Sequence, residues 1–219
     1  MRRPLAAAFA LAAVVDLTSL AVGWDAGHTV AKPLLMPLLA AWAAVRGAPP
    51  LLIAALLCGW GGDTLLLLDV EPAFLAGMGC FAAGHLCYLA LFRSYERAHA
   101  RSALFAPAYG MVLVGTVASL WPDLPADLRV PVAGYSLLLT VMAWAAVTRL
   151  GLLAGLGGAL FVLSDSLIAT GVAEWPQPPR PDLWIMLTYV AAQSLLVIGV
   201  LGERQPERSA YGEVRSATP

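Results

Sequence analysis

Long apolar runs, broken by short polar or proline-rich joints, make up almost the whole chain. A bilayer-spanning helix needs about 20 apolar residues, fewer where neighbouring protein shortens the path. Eight runs meet that requirement: 4–23, 31–45, 49–68, 73–92, 103–121, 131–149, 152–171 and 182–201. The second is the shortest and carries Pro37. The joints between them are 24–30, 46–48, 69–72, 93–102, 122–130, 149–150 and 174–181. This pattern predicts an all-α integral membrane protein, a bundle of eight transmembrane helices forming one domain over 1–203. A flexible cytoplasmic tail is expected at 204–219, where the apolar pattern stops.

The distribution of positive charge gives an orientation. Cytoplasmic loops are enriched in Lys and Arg. With the N-terminus inside, the inner side holds Arg2, Arg3, Arg46, Arg93, Arg97, Arg101, Arg149, Arg204, Arg208 and Arg215, and the outer side only Lys32, Arg129 and Arg180. This bias favours an even helix count with both termini cytoplasmic. The first run, preceded by Arg2 and Arg3, has some features of a secretory signal peptide, but Asp16 interrupts it and seven further runs follow. An uncleaved first helix is the expectation.

Composition narrows the class. The 219 residues are 60% hydrophobic and 12% charged, with a mean hydropathy of +0.77, whereas soluble domains carry about 25% charged residues. A net charge of -1 leaves no basic patch for nucleic acid. Cys58, Cys80 and Cys87 lie in apolar runs and read as small hydrophobes rather than a disulfide framework. Twelve arginines against one lysine, with many alanines, indicate a GC-rich bacterial genome and hence the bacterial cytoplasmic (inner) membrane.

Against this background the ionisable residues inside the runs stand out, since charge in hydrocarbon is costly and marks functional sites. Counted from the cytoplasmic end of each run, Asp16, Asp63 and Asp165 are 12, 14 and 13 residues in. At 1.5 Å per residue all three reach a similar depth, ~18–21 Å, in the outer half of a core ~30 Å thick. Three carboxylates at one depth point to a shared pocket. The 3.6-residue period puts Gly59 and Gly62 on the face of Asp63, and Gly158 and Phe161 on that of Asp165; Gly77, Phe81, Gly84, His85 and Tyr88 form one stripe. Lys32, with Pro33, is expected at the outer entrance of the second helix, where proline fits the first turn. Tyr135 and Ser136 on the sixth helix, and Tyr189 and Gln193 on the eighth, complete the candidates. Each also has a plainer reading. Asp16 can be a helix-packing hydrogen-bonder, Asp63 and Asp165 structural partners of Thr, Ser or Lys32, and His85 a histidine satisfied by a neighbour. Lys32 can snorkel to the interface, and Tyr88, Tyr135 and Tyr189 can simply pack.

Several familiar chemistries lack support. No H-E-x-x-H or paired-histidine motif for zinc is present, nor a G-x-S-x-G elbow or Walker-type loop.

Four motifs together resemble the YhhN family of multi-helix membrane proteins, which includes the animal lysoplasmalogenases. They are Lys32-Pro33-Leu34-Leu35-Met36-Pro37, Gly62-Asp63, Phe74-Leu75-x-Gly77-Met78-x-x-Phe81-x-x-x-His85-x-x-Tyr88, and Phe161-x-x-Ser164-Asp165-Ser166. The family pattern has a serine shortly before Gly-Asp; here Gly59-Trp60-Gly61 precedes it, so no serine role carries over. The resemblance implies hydrolysis of the vinyl ether bond of a lysoplasmalogen, releasing a fatty aldehyde and a glycerophospho-base, without a metal or organic cofactor. Such hydrolysis needs one carboxylic acid that keeps its proton and one carboxylate that stabilises the oxocarbenium ion and activates water. On this basis Asp63 and Asp165 are expected to form the pair, either one as the acid. His85 and Tyr88 would orient water or the leaving oxygen, and Lys32 would attract the lipid phosphate at the rim. Asp16, Tyr135, Tyr189 and Gln193 would contribute to substrate binding.

The main rival is a proton-coupled transporter or binding protein for a lipid or small metabolite, for which intramembrane carboxylates also serve. A metal-dependent lipid hydrolase and a structural scaffold are further alternatives. A lysophospholipid and the membrane lipid itself are the expected partners; oligomeric state is not legible.

Overall fold

The computed structural model describes residues 1–68, 70–95 and 105–216, with side chains up to 203. Arg97, Arg101 and the side chains of Arg204, Arg208 and Arg215, used above for orientation, lie outside that set. The described residues are helical throughout, with no strand among them: α1 (Arg2–Val22), α2 (Asp25–Ala44), α3 (Pro50–Leu65), α4 (Glu71–Phe92), α5 (Ala106–Leu120), α6 (Arg129–Val172) and α7 (Pro181–Ser216). Local chemistry sets the boundaries. α1 ends where Gly23 adopts φ 76, letting the Trp24 N–H return to the Ser19 carbonyl at 2.8 Å. α3, α4 and α5 each carry proline in the first turn, where its missing N–H costs nothing. Asp25, Glu71 and Asp182 occupy the first turns of α2, α4 and α7, each complementing the positive end of its helix.

Two elements differ from the sequence expectation. The runs 131–149 and 152–171 form one helical run, α6, broken at Gly151, whose φ 78, ψ -167 is a conformation essentially confined to glycine. The break is a reversal. A Cβ on Gly155 would collide with Val147, and one on Gly158 with Ala143, so the arms 129–150 and 152–172 pack back to back as an antiparallel hairpin at contact distances only glycine permits. The second difference is α2, which starts at Asp25 rather than at 31. Pro33 and Pro37 therefore lie inside the helix, not at its first turn. Lys32 is displaced with them, two turns in and buried, which corrects its expected place at the entrance.

Among the described residues four helices are long and apolar enough to cross a membrane, α1, α4, α6 and α7 over Pro181–Glu203, and α3 and α5 are shorter apolar helices. α1 to α4 pack in sequence, α7 packs on α6, α1 and α2, and α4 joins α6, while α5 lies against α6. The main core draws on α1 to α4, α6 and α7, with Leu35, Met36, Leu52, Leu56, Met142 and Leu196 fully buried. A smaller cluster of Leu120, Leu124, Leu128, Val132 and Ala173 lies beneath the loops at one end. The candidate residues lie toward that end of the bundle.

Candidate active site

Glycines on α3 and α4 bring their backbones together: a Cβ at Gly77 would approach the Gly62 carbonyl at 3.3 Å, and one at Gly84 the Ala55 carbonyl at 3.2 Å. That close approach presents Asp63 and the α4 stripe of Phe81, His85 and Tyr88 to α6 and α7. The side chains then sort into two hydrogen-bonded arms.

The first arm ends on Asp63, which is only 3% exposed. The Tyr189 hydroxyl donates to Asp63 Oδ2 at 2.8 Å. Gln193 Nε2 points at the Tyr189 hydroxyl at 3.4 Å, and the Tyr88 hydroxyl donates to Gln193 Oε1 at 2.6 Å. Every donor in this chain points toward the carboxylate. Tyr88 is therefore engaged at the far end of the Asp63 arm, fully buried, with its hydroxyl committed to Gln193.

The second arm ends on Asp165. The Tyr135 hydroxyl donates to Asp165 Oδ2 in a short hydrogen bond. With that proton committed, the Nε2–H of His85 donates to the same phenol oxygen at 3.0 Å. His85 is 1% exposed, and its Nδ1 has no partner. Tyr135 and Asp165 belong to opposite arms of the α6 hairpin, so the reversal at Gly151 is what makes them neighbours.

Phe161 stands between the two arms. Its ring meets His85 edge-on at 4.8 Å between centroids and Tyr189 at 5.4 Å, with Phe81 behind both Phe161 and Tyr189. The Asp165 side opens onto a pocket. An apolar pocket between α4, α5 and the α6 hairpin is walled by Phe74, Met78, Val112 and Val132, with Asp165 and Tyr135 among its few polar groups. Its volume of about 70 Å³ compares with the ~10–15 Å³ needed to place one water, so it has room for several waters or part of a slender chain.

Asp16 and Lys32 lie on the Asp63 side, and both act electrostatically on Asp63, as does Asp165. Asp16 is 0% exposed. Its Oδ1 meets His28 Nδ1 at 2.8 Å, and its Oδ2 has no partner. His28 is not among the residues the sequence singles out, because 24–30 reads as a joint; its i, i+4 spacing to Lys32 is the available signal. Among the described residues no three His, Cys, Asp or Glu side chains are grouped to hold a metal ion.

Comparison with known proteins identifies relatives of this arrangement. The YhhN family model matches residues 27–200. Human lysoplasmalogenase TMEM86B is 35% identical over 161 residues, covering 74% of this chain and 68% of the human protein. The rat protein of the same name is 33% identical over 186 residues, 81% of this chain and 74% of its own. A lysoplasmalogenase of Mycobacterium tuberculosis is 31% identical over 203 residues, 84% of this chain and 76% of its own. No solved structure matches the chain. With a family model that spans all the buried polar residues of the two arms, the chain belongs to the YhhN family.

Proposed function

We propose that this protein is a lysoplasmalogenase, which cleaves the vinyl ether bond of lysoplasmalogens inside the membrane to a fatty aldehyde and a glycerophospho-base. The single observation that carries the mechanism is the pair of intramembrane carboxylates, each fixed by a tyrosine, of which one lines an apolar pocket.

In this mechanism the alkyl chain lies along Phe74, Met78 and Val132, and the vinyl ether reaches Asp165 at the polar wall. Protonated Asp165 gives its proton to the β-carbon of the vinyl ether, and the α-carbon becomes an oxocarbenium ion. Tyr135 and His85 hold Asp165 in place. Water then adds to the α-carbon, its proton returning to Asp165, and the hemiacetal collapses to aldehyde and alcohol. Asp63 acts through space, its negative charge favouring the cation in a medium where screening is weak. Overall one water is consumed and one C–O bond broken, so no oxidant, metal or organic cofactor enters the balance.

The membrane arrangement we propose has all eight helical segments crossing the bilayer, counting the arms of α6 separately; at 1.5 Å per residue six reach about 30 Å or more, and α3 and α5 about 22–24 Å. Both termini are cytoplasmic, residues 1–203 form the membrane domain with 204–219 as a tail, and the protein resides in a bacterial inner membrane. Aldehyde release from choline and ethanolamine lysoplasmalogens by the purified protein, with a chelator present, tests the activity. Stoichiometric aldehyde and glycerophospho-base are expected; silence on both substrates overturns it.

A further inference from the structure

We infer that the α1–α2 corner, formed by Asp16, His28 and Lys32, is a phosphate-binding subsite in which His28 is a second donor beside Lys32; the inference rests on the lysophospholipid reading above. The argument starts from which polar groups are already engaged. Asp16 is tied to His28, and Asp63 to Tyr189. The ammonium of Lys32 is what remains: 9% exposed, with no hydrogen bond and no ion pair among the described residues. A buried charge without a close partner is costly, and an incoming anion removes that cost.

His28 supplies the geometry. It precedes Lys32 by one helical turn, so the two side chains emerge side by side on α2, about 5–6 Å apart at Cβ. Asp16 holds Nδ1, which fixes the ring and leaves Nε2 without a partner among the described residues. The imidazole is 17% exposed while the carboxylate behind it is 0% exposed, so the ring forms the outer wall of this corner. A phosphodiester has two non-bridging oxygens, one for Nζ of Lys32 and one for His28, which as the imidazolium gives Nδ1–H to Asp16 and keeps Nε2–H for the anion. Asp16 thus acts as a positioning residue: its carboxylate accepts Nδ1–H and aims the imidazolium. Arg180, in the loop before α7, lies against Gly23 at the turn between α1 and α2.

The ligand's phosphate can come from a lipid head group or from a water-soluble phosphate ester, and binding measurements separate the two. Isothermal titration of the intact protein in a maltoside detergent would compare a saturated sn-1-alkyl lysophosphocholine, which has no vinyl ether to cleave, with the matching alkylglycerol, which has no phosphate. The wild type should favour the phosphate-bearing lipid at least tenfold. Lys32→Met should abolish that preference, and His28→Asn should cut it three- to tenfold. The amide nitrogen of Asn replaces Nδ1, so that variant keeps the bond to Asp16 and loses only Nε2. Competition by sn-glycero-3-phosphocholine marks a site for free phosphate esters, and competition by the lipid alone marks a head-group site; either supports the subsite when Lys32→Met removes it.

Thermal stability without ligand separates this role from a structural one. If Lys32 merely balances Asp63, Lys32→Met lowers Tm; if it awaits an anion, Tm of the ligand-free protein holds or rises. Equal affinity of wild type for the two lipids, or an intact preference in both variants, overturns the subsite. Because nothing is hydrolysed in these titrations, a clear phosphate preference in a protein that releases no aldehyde would leave the subsite standing and remove the hydrolase.

Discussion

Asp63 and Asp165 are alike in residue type and in having a tyrosine donor, yet they sit in opposite settings. Asp63 closes a chain of three donors, Tyr88, Gln193 and Tyr189, and is sealed behind Phe81 and Phe161. Asp165 has one donor, Tyr135, and faces a pocket. The difference teaches a division of labour. A group that exchanges a proton with substrate must be reachable, whereas a group that supplies a fixed field is best held rigid and dry. Sealed, the Asp63 arm is suited to the second task, and the open arm to the first.

The sharpest way to break this comparison is to exchange the carboxylates for amides. Asp165→Asn keeps an acceptor for Tyr135 but removes the transferable proton, and general acid catalysis contributes ~10²–10⁴-fold. Aldehyde release by this variant should fall by about that factor with Tm preserved; activity within tenfold of wild type would remove Asp165 from the acid role. Asp63→Asn should cost less, about 10²-fold, the lower end of what one electrostatic stabiliser contributes. If Asp63→Asn proves the more damaging of the two in kcat, the assignment of acid and field is reversed.

The tyrosines sharpen the contrast, because the same hydroxyl deletion should read out differently in the two arms. Tyr135→Phe leaves Asp165 with solvent from the pocket as a substitute partner but strands the buried Nε2–H of His85, so kcat should drop while Tm falls less than in Tyr189→Phe. Tyr189→Phe strands a buried carboxylate with no donor, which costs ~1–3 kcal/mol and should appear first as a lower Tm. Equal Tm losses in both variants would mean that the arms are equally buried.

Much of this was legible before any coordinates. The depth count set Asp16, Asp63 and Asp165 at one level and suggested a shared pocket; all three lie in the helices as expected, but Asp165 lines the apolar pocket while Asp63 and Asp16 are buried away from its walls. The 3.6-residue period grouped Phe81, Gly84, His85 and Tyr88, and all four are buried. The break between the sixth and seventh runs falls at Gly151, because a reversal with positive φ needs glycine there. Other features were not legible for physical reasons. Proline inside α2 masked two turns of helix, since a proline pair reads as a boundary, and with them went His28 and the true depth of Lys32. Which tyrosine serves which carboxylate depends on how α6 folds back and where α7 docks. Those are tertiary facts that a one-dimensional period cannot carry, and they are why the sequence leaves open which partner the Tyr88 hydroxyl takes.

Tyr88→Phe is therefore the smallest and most discriminating change. On the structure Tyr88 touches Gln193, and its influence on Asp63 passes through two further hydrogen bonds. Removing its hydroxyl leaves Gln193 Oε1 without a donor at a buried site, worth ~1–3 kcal/mol of stability, with the Tyr189 to Asp63 bond intact. Tm should fall modestly, while kcat and KM for lysoplasmalogen hydrolysis stay within about threefold, less than 1 kcal/mol on the 1.36 kcal/mol per tenfold scale. A tenfold or larger loss of kcat with Tm unchanged would put the Tyr88 hydroxyl in contact with the reacting atoms, and the Asp63 arm could then no longer be the sealed one.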